Sequence, residues 1–350
     1  MKIQDYEFQT TEFSIHHLEE LLPEDSLLFD IETTGFQPKY QTVYLIGMGY
    51  RKDATIHIRL LYAQSPACED EILKEFQSFS MKFRRLISFN GDMFDLPFLT
   101  KRAEANGLSH EFTNLTSFDL FKEAKKYKSY LNLEHYKQKD LEHYFGIFRE
   151  DMYNGGQLID LYKKQETSFN QHEEDLLFLH NMEDVKGMIY LLQIMDFSLL
   201  KNATYTLEDY EYHKGEISFC LKSNAISNLS LKIIKDNAFL QVKEDLVFGT
   251  ISCVEGSLKY YYPDYKNYIY VRDEDLLLPK SLSSTIEKHR IEKAKKEQCF
   301  TTKEGIFLLD ILNLDQRHFK MDLSDKKEYI EIDPNQLSNH FLLEYIGHLL

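Results

Sequence analysis

Short apolar runs alternate with amphipathic stretches through the first 200 residues, and that rhythm restricts the fold more than any other feature. Ser26–Ile31 reads as a buried strand, with Thr42–Tyr50 and Thr55–Tyr62 as two more; the last places Ile56, Ile58 and Leu60 on one face. From Glu69 onward, Ile72, Leu73, Phe76 and Phe79 recur at helical spacing, and Arg85–Phe89 returns to strand. Leu96–Asn106 reads as a helix closed by Gly107, and Leu115–Phe118 as a fifth strand followed by helical residues to Lys128. Leu141–Phe145 reads as a short helix N-capped by Asp140, and His172–Phe197 as a long one. The pattern predicts a mixed α/β five-stranded sheet flanked by helices. Its first three strands form an antiparallel meander, and the fourth and fifth are added through helical crossovers.

Near residue 200 the texture changes. Lys201–Gly215 is polar and tyrosine-rich, as a linker would be. Beyond it, period-two alternation prevails at Ile217, Phe219 and Leu221, at Leu229, Leu231 and Ile233, at Leu258, Tyr260 and Tyr262, and at Tyr268 and Tyr270. Ser283–Glu297 reads as a charged helix, Cys299–Leu309 as a hairpin turning at Lys303-Glu304-Gly305, and Phe341–Leu350 as helical. For 350 residues this predicts a domain over 1–200, a linker over 201–215 and a smaller β-rich C-terminal domain over 216–350, whose role the sequence leaves open.

The chain carries a net charge of −16. Residues 1–200 hold 21 basic and 33 acidic side chains, a balance of −12, and residues 201–350 hold 20 and 24, a balance of −4. That excludes a protein that grips nucleic acid through an overall basic field. A polyanionic partner then needs local basic groups or bound cations. Cys68, Cys220, Cys253 and Cys299 form no C-x-x-C pair, which argues against a thiolate zinc site and suits a reducing, cytoplasmic compartment. Apolar runs such as Leu176–Leu179 fall far short of the ~20 residues of a membrane span, and Met1–Glu7 lacks the apolar core of a signal peptide.

Chemistry concentrates in three places. In Asp30-Ile31-Glu32-Thr33-Thr34-Gly35, the first and third residues of a strand end present two carboxylates to one face. Crowding two like charges is unfavourable unless a cation sits between them. In Phe89-Asn90-Gly91-Asp92-Met93-Phe94-Asp95, a strand runs out and a helix begins, with Asp95 in its first turn and Asp92 as a solvated loop acid. In His180-Asn181-Met182-Glu183-Asp184, the histidine and the last aspartate share one helix face, from which Glu183 points a quarter-turn away. Four carboxylates and a histidine, without sulfur, suit two hard divalent cations, Mg²⁺ or Mn²⁺, about 3.5–4 Å apart. A histidine is the side chain suited to accept a proton near neutral pH.

In order and spacing, Asp30–Gly35, Phe89–Leu99 and His180–Asp184 resemble the three motifs of the DnaQ-like (DEDD) 3′–5′ exonuclease superfamily. Over residues 20–197 the chain looks most like the YprB-type ribonuclease H-like domain. Ser117–Phe121, Lys139–Glu142 and Phe145–Asp151 agree with it. The resemblance implies a ribonuclease H-like fold, two metal ions and hydrolytic removal of nucleotides. It puts Asp30, Glu32, Asp95 and Asp184 in the places of the four metal-binding acids and His180 in that of the general base. Here the histidine stands four residues before the last aspartate, where relatives with tyrosine have theirs; relatives with histidine usually leave five. An inactive nuclease-like binding or scaffold module, and an endonuclease on the same fold, are the competing readings. Thr33, Asn90, Lys125, Lys126 and Arg149 are candidates to touch nucleic acid, and Asp119 reads as a strand-end cap. Tyr260, Tyr261, Tyr262, Tyr265, Tyr268 and Tyr270, beside Lys259 and Lys266, suit either a strand or a surface on which single-stranded bases stack.

Overall fold

The computed structural model describes residues 1–350 except His16, and leaves aside the side chains of Glu111, Ser129, Glu166 and 225–230. It divides into two compact units, Met1–Leu199 and Leu200–Leu350.

In the first unit, six strands form one sheet: β1 (Lys2–Gln9), β2 (Ser26–Thr33), β3 (Val43–Lys52), β4 (Thr55–Tyr62), β5 (Arg85–Ser88) and β6 (Thr116–Asp119), in the order β1-β4-β3-β2-β5-β6. The meander β2-β3-β4 is antiparallel and β5 and β6 join in parallel, as the sequence predicts. The expectation of five strands is corrected by β1, an antiparallel edge strand on β4. Its covered face is only half-buried and carries Gln4, Tyr6 and Phe8, so the strand needs no aliphatic run and offered none to read.

Strand β2 sits at the centre and divides its residues between two layers. Leu27, Phe29 and Ile31 join the core under the helices Glu69–Ser80 and Asp95–Ala105, with the Phe29 and Phe76 rings 5.5 Å apart. Leu28, Asp30 and Glu32 point the other way, toward the helix Gln171–Leu191, which Asn170 caps by accepting from His172 N and Glu173 N. That helix lies close because Gly47 and Gly49 face it. A Cβ on Gly47 would fall 2.4 Å from Asn181 Oδ1, and one on Gly49 would fall 2.6 Å from Val185 Cγ1. Strand β5 pairs with β2 only as far as Leu28↔Ile87 and ends at Ser88. Beyond that point the far edge of β2 is open, and its next backbone donors must find other partners.

Smaller differences have local causes. The long helix ends at Leu191 rather than Phe197 and passes into a 3₁₀ turn, Leu192–Met195. Asp140 is not the cap of its helix but its third residue, accepting from Lys137 N at 2.9 Å. Asp119 is a cap as expected, accepting from Phe121 N and Lys122 N. A helix over Gly155–Thr167, capped by Asn154, was hidden by its two leading glycines and polar surface. Its Tyr162 stacks on Tyr44 of β3 with the rings 4.2 Å apart.

The second unit is built from three three-stranded sheets: β7 (Tyr205–His213), β8 (Glu216–Lys235) and β9 (Ala238–Ser252); β10 (Val254–Tyr261), β14 (Phe300–Leu309) and β15 (Tyr329–Ile332); and a small sheet of β11 (Tyr268–Val271), β12 (Leu276–Pro279) and β13 (Ile291–Lys293). The expected linker is largely strand, because residues 205–213 pair along β8. Ser283–Glu297 is not a helix: its apolar residues Ile286, Ile291 and Ala294 give no stripe to bury, and Ile291 pairs with Val271 instead. Nor does β14 turn at Gly305, which pairs with Gly256 of β10 in an unbroken ladder. The helix Asn339–Leu349, capped by Ser338, closes the unit. Among the described residues, no helix is long and apolar enough to cross a membrane.

Candidate metal centre

Three segments meet at the open end of β2. Its Ile31 N–H, left without a β5 partner, donates to Asp95 Oδ1 at 3.2 Å, which ties the start of the helix Asp95–Ala105 to the strand. From the opposite layer, Asn181 Nδ2 donates to Asp30 Oδ2 at 2.8 Å, and His180 Nε2 lies 3.3 Å from Glu32 Oε1 and 3.1 Å from Asp184 Oδ2. One ligand atom each from Glu32, His180 and Asp184 all lie within 4.8 Å of one another, a group that can hold a metal ion. A bulge in the β2–β3 pairing falls between Glu32 and Thr33, as is common beside functional sites.

The electrostatics show that this acid cluster is under strain. Burial, followed by repulsion from Asp184, Asp95 and Glu32, pushes the Asp30 carboxyl well above its ordinary value. Burial also raises Glu32, against the pull of His180. Asp95 is pushed up to about 7 by burial, although the Ile31 N–H stabilises its charge. The donor set is hard oxygen with one imidazole, and its charges repel in a desolvated pocket. Such a site fits a divalent cation.

His180 occupies the cation's side of this balance. Burial opposes its charging, yet Asp151, Glu32 and Asp184 raise it to about 11, so in this arrangement the imidazole is protonated at neutral pH. Its Nδ1 lies 2.7 Å from Asp151 Oδ2, which fixes Nε2 as the nitrogen facing Glu32 and Asp184. Asp151 is held in turn by Lys139 Nζ at 2.8 Å, and its backbone N–H donates to Glu183 at 2.8 Å. Glu183 is therefore outside the acid cluster but anchors the loop that orients His180.

Arg149 corrects the sequence reading. Its side chain is 6% exposed and closed in ion pairs: Nη1 to Asp184 Oδ1 at 2.6 Å, Nη2 to Glu142 Oε1 at 2.6 Å and Nε to Glu142 Oε2 at 2.5 Å. The buried Glu142 draws it inward, so it is no free phosphate ligand. Of the neighbouring lysines, Lys122 pairs with Asp92 at 2.6 Å and Lys126 with Glu123 at 2.5 Å; Lys125 lies 3.9 Å from the Phe121 ring centroid, without an ion pair among the described residues. Asp92, read as a solvated acid, also accepts from Ser117 Oγ at 2.5 Å. Thr33 is nearly buried, its Oγ1 donating to Gly35 O at 2.7 Å. Asn90 turns the chain at φ +63° and donates its backbone N–H to Asp119 Oδ1 at 2.9 Å.

Gly187 makes room for the Glu142–Arg149 pair, since a Cβ there would fall 1.9 Å from Glu142 Oε1. Within a helix, alanine for glycine ordinarily stabilises by about 1 kcal/mol. Here the sign is expected to invert: Gly187→Ala costs about 1–3 kcal/mol in urea unfolding, because a buried, doubly bonded carboxylate must move. A gain in stability would mean that the pair is loosely held.

Residues 27–196 match the family model of the RNase H superfamily. This segment is an RNase H-like domain. Among solved structures, the chain is similar to the family B DNA polymerase of the hyperthermophilic archaeon Pyrobaculum calidifontis, at 15% identity over 69% of this chain and 35% of that one, with a TM-score of 0.36. It is also similar to E. coli ExoI in a zinc-bound complex with single-stranded DNA, at 12% identity over 57% of this chain and 55% of that one, with a TM-score of 0.31. The chain thus spans about a third of the first protein's length and about half of the second's. No curated protein matches it by sequence.

Within the RNase H-like domain, Asn181, Asp151 and Glu142 are the site residues that sequence reasoning missed, while Arg149 was singled out for a different role. Asn181 lies as far round the helix from the face shared by His180 and Asp184 as Glu183 does, so helical spacing alone did not single it out. Nothing in the local sequence marked Asp151 as the partner of a histidine 29 residues away.

Proposed function

We propose that the RNase H-like domain is a DnaQ-like, divalent-metal-dependent nuclease that removes nucleotides from the 3′ ends of single-stranded or frayed nucleic acid. The observation that carries this reading is the meeting of Asp30, Glu32, Asp184 and His180 in one desolvated pocket, with Asp95 tied to the same strand. Asp30, Glu32, Asp95 and Asp184 would hold two ions, Mg²⁺ or Mn²⁺. When bound, such ions acidify water and neutralise charge on a phosphodiester.

The chain's own groups do the rest. Asp151 accepts from His180 Nδ1 and so presents Nε2 to the acids; ions bound there would offset the negative charge of Glu32 and Asp184 that keeps the imidazole protonated, and would free Nε2 to act as the proton acceptor. Asn181, donating to Asp30, fixes that carboxylate's rotamer; Arg149 does the same for Asp184. Lys125, without an ion pair among the described residues, and the segments at Thr33 and Asn90 are placed by this reading along the path of the strand.

The test uses end-labelled DNA and RNA, linear and circular, with Mn²⁺ and with EDTA. Stepwise shortening of linear strands from the 3′ end, only with metal and with circles spared, is the expected result. Cut circles would assign an endonuclease instead. Mn²⁺ binding by calorimetry without cleavage of any substrate would leave a scaffold.

A further inference from the structure

The second unit carries an open cleft of about 580 Å³, inside the about 300–1,000 Å³ range of ligand sites, lined by Tyr260, Tyr261, Lys296, Arg317, His318 and Lys320. Its floor is rigid. Strand β10 ends at Tyr261, and the segment carrying Arg317–Lys320 is pinned to it by reciprocal Lys259 and Lys320 backbone hydrogen bonds of 2.9 Å. Between the two lies buried Phe319, packed 6.0 Å from Tyr260 and 5.0 Å from Phe307. Tyr261 is backed by Phe300 at 5.4 Å.

The cations divide into fixed and free. His318 Nε2 lies 2.6 Å from Asp310 Oδ2, a nearly buried carboxylate that also accepts from Leu312 N and Leu314 N. Lys320 reaches Glu328 at 3.2 Å and Asp325 O at 3.0 Å. Lys296 and Arg317 make no ion pair among the described residues, and the Arg317 guanidinium lies 5.4 Å from the Tyr260 ring centroid. In a half of the chain whose net charge is −4, four basic side chains converge on aromatic rings with one lining acid, Glu328. Uncommitted cations beside preordered rings suit a ligand unit that joins a phosphate to a planar base. This also gives the tyrosine-rich stretch a role beyond strand propensity.

We propose that this cleft binds one nucleotide unit of a single-stranded nucleic acid, its base stacked on Tyr261 and its phosphate held by Lys296 and Arg317. The proposal rests on the nuclease reading for its choice of polymer. The full chain, in EDTA so that nothing is cut, is titrated into a labelled oligothymidylate of about 12 nucleotides, within the site sizes of single-strand binders. Lys296→Ala/Arg317→Ala is expected to weaken binding about fivefold or more and to flatten its salt dependence by about 0.7 per lost phosphate contact. Tyr261→Ala weakens binding about fivefold or more, whereas Tyr261→Phe retains it, because the ring and not the hydroxyl stacks.

Wild-type affinity in both the cation and the Tyr261→Ala variants overturns the proposal. So does equal binding of an abasic strand, or equal competition by polyglutamate. A strand that binds through the cleft but is never cut once Mn²⁺ is restored sinks the nuclease reading alone. A strand cut normally, with affinity indifferent to the cleft variants, sinks the cleft alone.

Discussion

Asp30→Asn is expected to lower metal-dependent cleavage by at least about 10³-fold while leaving the chain folded. Losing a ligand that places ions at the scissile phosphate forfeits several kcal/mol of charge stabilisation, and each 1.36 kcal/mol is a factor of ten. The fold survives because the asparagine oxygen still accepts from Asn181 Nδ2. Stability moves the other way. Asp30 is buried and repelled by Asp184, Asp95 and Glu32, so its neutral replacement is expected to raise the urea midpoint of the metal-free protein. Mn²⁺ at 100 times its dissociation constant stabilises the wild type by about 2.7 kcal/mol, and that gain is lost in the variant. Unchanged turnover by Asp30→Asn would remove the assignment of the site.

The same repulsion gives the metal-free protein a pH signature. Asp95 moves from 3.8 to about 7 on folding, so between those values the folded chain retains a proton that the unfolded chain releases. Stability therefore falls as pH rises across that interval. His180, raised from 6.5 to about 11, adds in the same sense: its contribution is complete below 6.5 and is lost as pH climbs through 11. Urea midpoints in EDTA, followed from pH 5 upward, are expected to decline, and Mn²⁺ is expected to restore them. A level profile in EDTA would mean that the acids are solvated rather than confined.

What the sequence could reveal follows from where each constraint lies. The alternation in β2 put Asp30 and Glu32 on one face, and spacing on a helix put His180 with Asp184; both are local regularities. Their meeting depends on the early end of β5 and on Gly47 and Gly49, contacts between segments distant in the chain that no local period encodes. Arg149 illustrates the failure most sharply. In sequence a basic residue in a loop reads as a hand for phosphate, and only the tertiary fold brings Glu142 and Asp184 around it. The missed β1 and the false helix at Ser283–Glu297 have a common source: strand edges need little apolar surface, and charge alone does not make a helix.

Arg149→Ala is expected to cost about 3–5 kcal/mol, the penalty for leaving buried carboxylates without their counter-ion. Among the described residues, Glu142 would keep only its bond from Gln138 Nε2 at 2.9 Å, and Asp184 only His180 at 3.1 Å. Arg149→Lys recovers little, because a single ammonium cannot reproduce three hydrogen bonds in a planar fork. Two rescues separate the partners. Glu142→Gln in the Arg149→Ala background removes one stranded charge and returns part of the loss. Mn²⁺ returns a different part, by neutralising Asp184, and is expected to stabilise Arg149→Ala more than the wild type. The two rescues should be nearly additive, since each acts on a separate carboxylate. If Arg149→Ala unfolds within 1 kcal/mol of the wild type, the guanidinium is not closing the acid site, and Asp184 must be held in place by His180 alone.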